Sequence, residues 1–397
     1  MAEAGFRAQG LYQAGGSTVA DAFHNQALYC RANDAPITAR IVEAVCELLA
    51  GNAPGELLAK VRGWSGAPLA DALPLRVAGG LHALHLKGEE PALSALYRGE
   101  DADDIAVIAE LVVRREADLL PWLDGPPQTN EAGRSSNFIL ALLWLATRGL
   151  PPRFECLEVG SSAGINLMID RYRYDLSGVE VGPENGALAF KPEWRGPPPP
   201  NREIEFASLR GCDVAPVDLT DPTQALRLKA YIWPEHQVRF ARMDAAIVAA
   251  TERKPDIVRM NAAEFVEQAL AESQAKGTTR VLMHSIVWQY VPADQQARVS
   301  AVMDAAGARA TAERPLAWIA LEANRTVHHH KLTVRYWPGG EQRFQLGVAH
   351  AHGAWLEYFP EPLPSTWPDY RNPRLTISSS IASTISREHP ATSANAQ

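Results

Sequence analysis

The 397-residue chain carries 38 Lys and Arg against 46 Asp and Glu, a formal charge of −8, and 46% of its residues are hydrophobic. That balance is ordinary for a soluble globular protein, and the length suits two domains or one large domain with an appendage. A net negative charge argues against a broad nucleic-acid surface or an anionic-membrane surface.

The opening stretch, MAEAGFRAQGLYQAGG, has neither the basic nor the apolar region of a signal peptide. The longest apolar run, Phe138 to Ala146, falls far short of the roughly 20 residues of a membrane span. Cys30, Cys46, Cys156 and Cys212 stand far apart without a C-x-x-C pair, as expected of reduced thiols in a cytoplasmic protein.

Residues 1–150 read as a helical region. ITARIVEAVCELLAG has apolar positions at three-to-four spacing and stops at Gly51, and DIAVIAELVVRREADLL repeats the pattern. Between them, VAGGLHALHLKGEEPALSALYRG offers polar and aromatic residues for one face of a groove. Gly125-Pro126-Pro127 predicts a turn, Thr129 or Asn130 a cap, and the long apolar helix then runs to Gly149.

From Pro151 strands alternate with amphipathic helices, the pattern of an open, mainly parallel α/β sheet. FECLEVG is strand one and GINLMIDRYRYDL the helix after it; a Pro/Gly-rich insertion occupies 176–200. EIEFASLRGCDVAP, PDIVRMN, TRVLMHSIV and LAWIALEAN are strands two to five. Then the alternation stops, because KLTVRYWPGGEQRFQLGVAHAHGAWLEYF reads as strands joined by turns and so as antiparallel pairing. The expectation is a doubly wound, mainly parallel, seven-stranded sheet over 151–372 with a terminal antiparallel hairpin. Residues 373–397 are expected to form a flexible tail.

LEVGSSAGINL, Leu157 to Leu167, has two readings. Gly160-x-Ser162-x-Gly164 matches the nucleophile elbow of a serine hydrolase. Asp256 and His284 follow in the right order, but Asp256 begins a strand at the far edge, and GGLH (79–82) is not an oxyanion loop. Ser162 is therefore not expected to be a nucleophile; its hydroxyl would cap the following helix or meet a cofactor carboxylate. In the other reading, Glu158, Gly160 and Gly164 form a strand end and glycine turn that admit a nucleotide-like cofactor, while Asp213 and Asn261 end strands two and three. That is the layout of class I methyltransferases, which use S-adenosylmethionine.

The stretches QTNEAGR, LEVGSSAGINLMIDRYRYD, RGCDVAPVDLTDP and HGAWLEY resemble the bacterial family called domain of unknown function 2332, over roughly Ala22 to Tyr370. The resemblance implies a methyltransferase-like α/β core behind a helical region, and little chemistry. Strand three in that family usually ends in Gly-Asp-Ala, where this chain has Met260-Asn261-Ala262. An amide oxygen still accepts from an adenine amino group.

On this reading the cofactor side holds Glu158, Gly160, Ser162, Gly164, Asp213 and Asn261. His284 and Ser285 face donor and acceptor, with His284 the general base. Trp288 and Tyr290 wall the pocket of a small-molecule acceptor, and Asn130 and Arg134 join the substrate side unless, with Glu131, they are a cap and a surface pair. YRYD (172–175) reads as helix-end packing, with Arg171 and Asp175 bracing the motif loop. His328 to His330, with His350 and His352, read as a solvated loop rather than a metal site; His24, His82 and His85 read as structural. The alternatives are a non-catalytic binding or regulatory protein, for which Asn261 is drift, and a serine hydrolase using Ser162.

Overall fold

The computed structural model describes residues 18–323 and 329–364. The tail expected at 373–397 and His328 lie outside the described residues.

Six helices open the described chain: Val19–Ala32, Pro36–Ala50, Glu56–Arg62, Leu73–Lys87, Pro91–Tyr97 and Asp104–Arg114. Thr18 starts the first with a capping box, accepting from the Asp21 N–H while the Asp21 carboxylate accepts from its own. Phe23, Ile41, Val45, Leu58, Leu81 and Leu111 pack together into an apolar core for this region. Ala35 gives helix Pro36–Ala50 no side-chain cap. Glu235, far along the chain, supplies one: its Oε1 accepts from the N–H groups of Ile37 (2.7 Å) and Thr38 (2.9 Å), and its Oε2 from Thr38 Oγ1 (2.9 Å). The negative charge also meets the positive end of the helix dipole.

Helix Ser135–Leu145 is buried at every position. An all-round apolar helix has no solvent face, and this one is a slab of the interior. It leads into β1 (Arg153–Val159), the centre of a sheet that includes β6 (Glu205–Asp213), β7 (Asp256–Arg259), β8 (Thr279–Ser285) and β9 (Leu316–Ala323). These five run parallel in the order β7-β6-β1-β8-β9. Alternate residues of β1 serve opposite faces, as the pleat requires. Cys156 joins the core under Ser135–Leu145 and Gln237–Glu252; Leu157 and Val159 join the core under Ala262–Ala271 and Ala293–Ala308.

The fold is mixed α/β with a large, mostly parallel sheet, and it departs from the seven-stranded expectation: the sheet has nine strands. β10 (His330–Trp337), β11 (Gln342–Ala349) and β12 (Trp355–Pro362) add to β9 one after another, all antiparallel. Their connections, 338–341 and 350–354, are too short for a crossover, so each strand lies beside the one before. β5 (Glu193–Arg195), from the Pro/Gly-rich insertion, closes the edge by pairing parallel with β12.

A second departure follows β1. Instead of an α-helix, Ile165–Arg171 forms a 3-10 segment that runs straight into β2 (Tyr172–Leu176). β2 pairs with β3 (Val179–Val181) and β4 (Leu188–Phe190) in a separate small sheet. YRYDL alternates buried and half-buried residues, a strand period rather than a helix end. The Tyr172 hydroxyl donates to the Ile165 carbonyl (2.8 Å) and that of Tyr174 to Ser135 Oγ (2.9 Å). Asp175 accepts from the Gly178 N–H in the β2–β3 turn, not from the motif loop.

Because Glu235 caps a helix of the N-terminal region from the α/β part, Glu235→Ala should lower stability by about 1–2 kcal/mol, the upper half of the range for a lost cap. Urea unfolding checks this, and Glu235→Gln, which keeps an acceptor, should recover part of the loss.

Candidate functional site

The chain leaves β1 toward β6 on one side and returns to β8 on the other, so the carboxyl ends of β1 and β8 frame the sheet's switch point, where such folds place ligands. The turn after β1 has left-handed backbone at Gly160 (φ 69°), Ser162 (φ 51°) and Gly164 (φ 70°). A Cβ at Gly160 would lie 2.3 Å from Val287 Cγ2, and one at Gly164 2.6 Å from Pro255 Cβ. Both glycines are required by neighbouring protein atoms.

The turn's donors are also committed. The N–H groups of Ser161, Ser162, Gly164 and Ile165 donate to the Cys212 carbonyl (3.0 Å), Asp213 Oδ2 (2.9 Å), the Ser161 carbonyl (2.7 Å) and Asn130 Oδ1 (3.0 Å). Asp213 Oδ1 takes the Ala215 N–H (2.8 Å), and Asn261 Oδ1 caps helix Ala262–Ala271 through the Glu264 N–H (3.0 Å). A bound S-adenosylmethionine carboxylate needs free donors in such a turn, and these four are spent. A carboxylate placed there would have to find its donors elsewhere than on these four. Ser162 caps no helix through its hydroxyl, which is buried without a partner.

One step along the sheet the chemistry is richer. His284 and Glu322 stand on the adjacent strands β8 and β9, with His284 Nδ1 2.6 Å from Glu322 Oε1. The same carboxylate oxygen accepts the N–H groups of Val287 and Trp288, each at 3.2 Å. A carboxylate so loaded is an acceptor, which puts an imidazole proton on Nδ1. Nε2 is buried and has no partner. Trp288 stacks on the ring at 4.8 Å and Trp318 meets it edge-on at 6.0 Å. Glu322 carried no signal of its own in sequence beyond being an acid inside the apolar strand LAWIALEAN.

Other predicted residues are dispersed. Asp256, the acid a serine hydrolase would need, is exposed at the start of β7 and does not pair with His284. His284 Nε2 and Ser162 Oγ both lack partners, so they are not bonded to each other. Ser285 is buried beside His284. Tyr290 is 75% exposed, whereas Trp288 is buried against the His284 ring.

QTNEAGR turns inward. Asn130, Glu131 and Arg134 are all buried, which corrects the reading of a surface pair. Glu131 Oε2 pairs with Arg239 Nε (2.7 Å), whose Nη1 meets His236 Nδ1 (3.0 Å). Arg134 Nε donates to the Ala351 carbonyl (2.9 Å), and its terminal nitrogens donate to no described residue. His330, His350 and His352 are half-buried nearby, and burial lowers the pKa of each. Among the described residues no group of histidines, cysteines or acids is arranged to hold a metal ion. His82 is structural: its Nδ1 bonds the Ala230 carbonyl (2.9 Å), and burial pulls its pKa down to about 4.

A family model described as "Uncharacterized protein conserved in bacteria", domain of unknown function 2332, matches residues 20–358. The chain belongs to that family. No curated protein and no solved structure matches it.

In this member of the family, buried polar atoms without partners gather on the elements around the switch point: Ser136 Oγ, Asn137 Oδ1, Glu158 Oε2, Ser162 Oγ, Asn166 Oδ1 and His284 Nε2. Each costs about 1–3 kcal/mol if nothing satisfies it. Glu158 accepts from Asn166 Nδ2 at 2.8 Å, and burial pushes its carboxyl up to about 7. A carboxyl raised in the folded state favours folding fully below its unfolded pKa, near 4.5, and less so as pH rises to 7. Glu158→Gln should therefore be more stable than wild type at pH 8, by about 3 kcal/mol. The gain should shrink through pH 7 and vanish below pH 4.5. Thermal unfolding across pH 4–8 reads it directly.

Proposed function

We propose that this chain is an enzyme that moves a proton to or from a small molecule at the carboxyl ends of β1 and β8, with His284 as general base. One observation carries the reading: the His284–Glu322 pair, with Nδ1 held at 2.6 Å and Nε2 buried and unpaired. Glu322 fixes the tautomer and stabilises the imidazolium that forms once Nε2 takes a proton, the part an orienting carboxylate plays in hydrolytic triads. At 1% exposure His284 is out of reach of a macromolecular surface, so the substrate is small. Glu158, on the neighbouring strand with its carboxyl near pH 7, is the second group able to exchange a proton at neutral pH.

S-adenosylmethionine-dependent methyl transfer to a small acceptor is the second reading. It is favoured by the order β7-β6-β1-β8-β9, with Asn261, Asp213 and Glu158 at or beside successive carboxyl ends, and weakened by the spent donors of the turn. Titration with S-adenosylmethionine and S-adenosylhomocysteine separates the two. At a hundred times its dissociation constant a bound ligand adds about 2.7 kcal/mol of stability, and the methyl-transfer reading fails if neither compound shifts the melting temperature.

The proton-transfer reading is tested by incubating the protein with a bacterial small-molecule extract and following every mass. A compound consumed by wild type should be turned over ~10²–10⁴-fold more slowly by His284→Asn, with Glu322→Gln also impaired. Identical profiles for wild type and His284→Asn would sink the reading and favour a binding or regulatory protein.

A further inference from the structure

Between the helical region and the α/β layers lies a cavity of about 140 Å³. Ile41, Ala78, Tyr97 and Trp233 are among the side chains that line it, and Arg239 and His352 stand at its polar end. A cavity of roughly 150 Å³ holds a benzene molecule, so this one takes a single ring.

The polar end is built and unfinished. Arg239 spends Nε on Glu131 and Nη1 on His236, and its Nη2 donates to no described residue. His352 lines the cavity with 33% of its side-chain surface accessible, and its Nδ1 is without a hydrogen bond, 3.7 Å from Glu131 Oε2. Burial holds this imidazole neutral, so it has one N–H to give.

Of the arginines Arg134, Arg239 and Arg242 only Arg239 lines the cavity, and it is ion-paired to Glu131. Glu235, also nearby, is committed to the helix N-terminus at Ile37 and Thr38. At the lining itself, the spare Arg239 Nη2 and the His352 N–H are donors without a described acceptor, and an oxyanion is their complement.

We infer that this cavity binds a small aromatic carboxylate, its ring among Ile41, Ala78, Tyr97 and Trp233 and its carboxylate on Arg239 and His352. The site is separate from the proton-transfer reading and does not depend on it.

Calorimetric titration of the full chain with benzoate, benzamide and acetate tests this. Benzoate should bind saturably, benzamide at least tenfold more weakly because it lacks the charge, and acetate not measurably because it lacks the ring. Ala78→Leu, which fills the cavity, should abolish benzoate binding, and His352→Gln should weaken it. His284→Asn should leave it unchanged, which keeps this site distinct from the proposed base. The inference is overturned if benzoate gives no heat of binding, if benzamide or acetate binds as well as benzoate, or if folded Ala78→Leu binds benzoate like wild type. The comparison among the three ligands needs no variant, so the outcome stands even where a substitution fails to fold.

Discussion

β1 is paired on both sides along nearly its whole length, and that constraint governs everything at its carboxyl end. Its turn has Val287 pressing from the β8 side and Pro255 with Ile257 from the β7 side. A turn so enclosed uses glycine where a Cβ would strike a neighbour, and it satisfies N–H groups from within because little solvent reaches them. Cys212, Asp213 and Asn130 do that. The glycine pattern of LEVGSSAG is therefore a packing requirement first. The proposed base stands on β8, where Glu322 reaches across from β9 to bond His284 Nδ1 and His284 Nε2 is left without a hydrogen bond.

The centre of the parallel sheet was legible in sequence because β1, β8 and β9 are buried on both faces and read as short apolar runs between helices. VLMHS and LAWIALEA are such runs, and the polar residues inside them, His284 and Glu322, turned out to be partners. The strand that sequence could not supply is β5: three residues, meaningful only beside β12, more than a hundred and fifty positions later. YRYDL was ambiguous because the segment joins two periods, a 3-10 turn and then a strand, and too few residues of either are present to decide.

QTNEAGR failed in a different way. Local rules send polar residues before an apolar helix to a cap and to the surface. Glu131 goes inward because its charge is met by Arg239, 108 residues away, and Arg134 goes inward with a carbonyl from the β11–β12 turn as its anchor. Burial of a charge is decided by a partner from another element, and no window of sequence contains both. The readable clue was density: an amide, an acid and an arginine packed directly against a helix with no polar face.

That inward turn sets the interior against the surface. The whole chain is negative by eight charges, yet Arg134, Arg239 and Arg242 gather at the joint between helical region and sheet, around Glu131. These two fields act over different distances. Exposed charges are screened within about 8 Å at physiological salt, whereas buried ones are screened far less. An anion approaching from solvent therefore meets little of the surface repulsion, and it meets the arginines only once protein has replaced the water around it. Affinity built this way depends on entering the cavity rather than on touching the surface, so the site inferred here would select for molecules small enough to be enclosed.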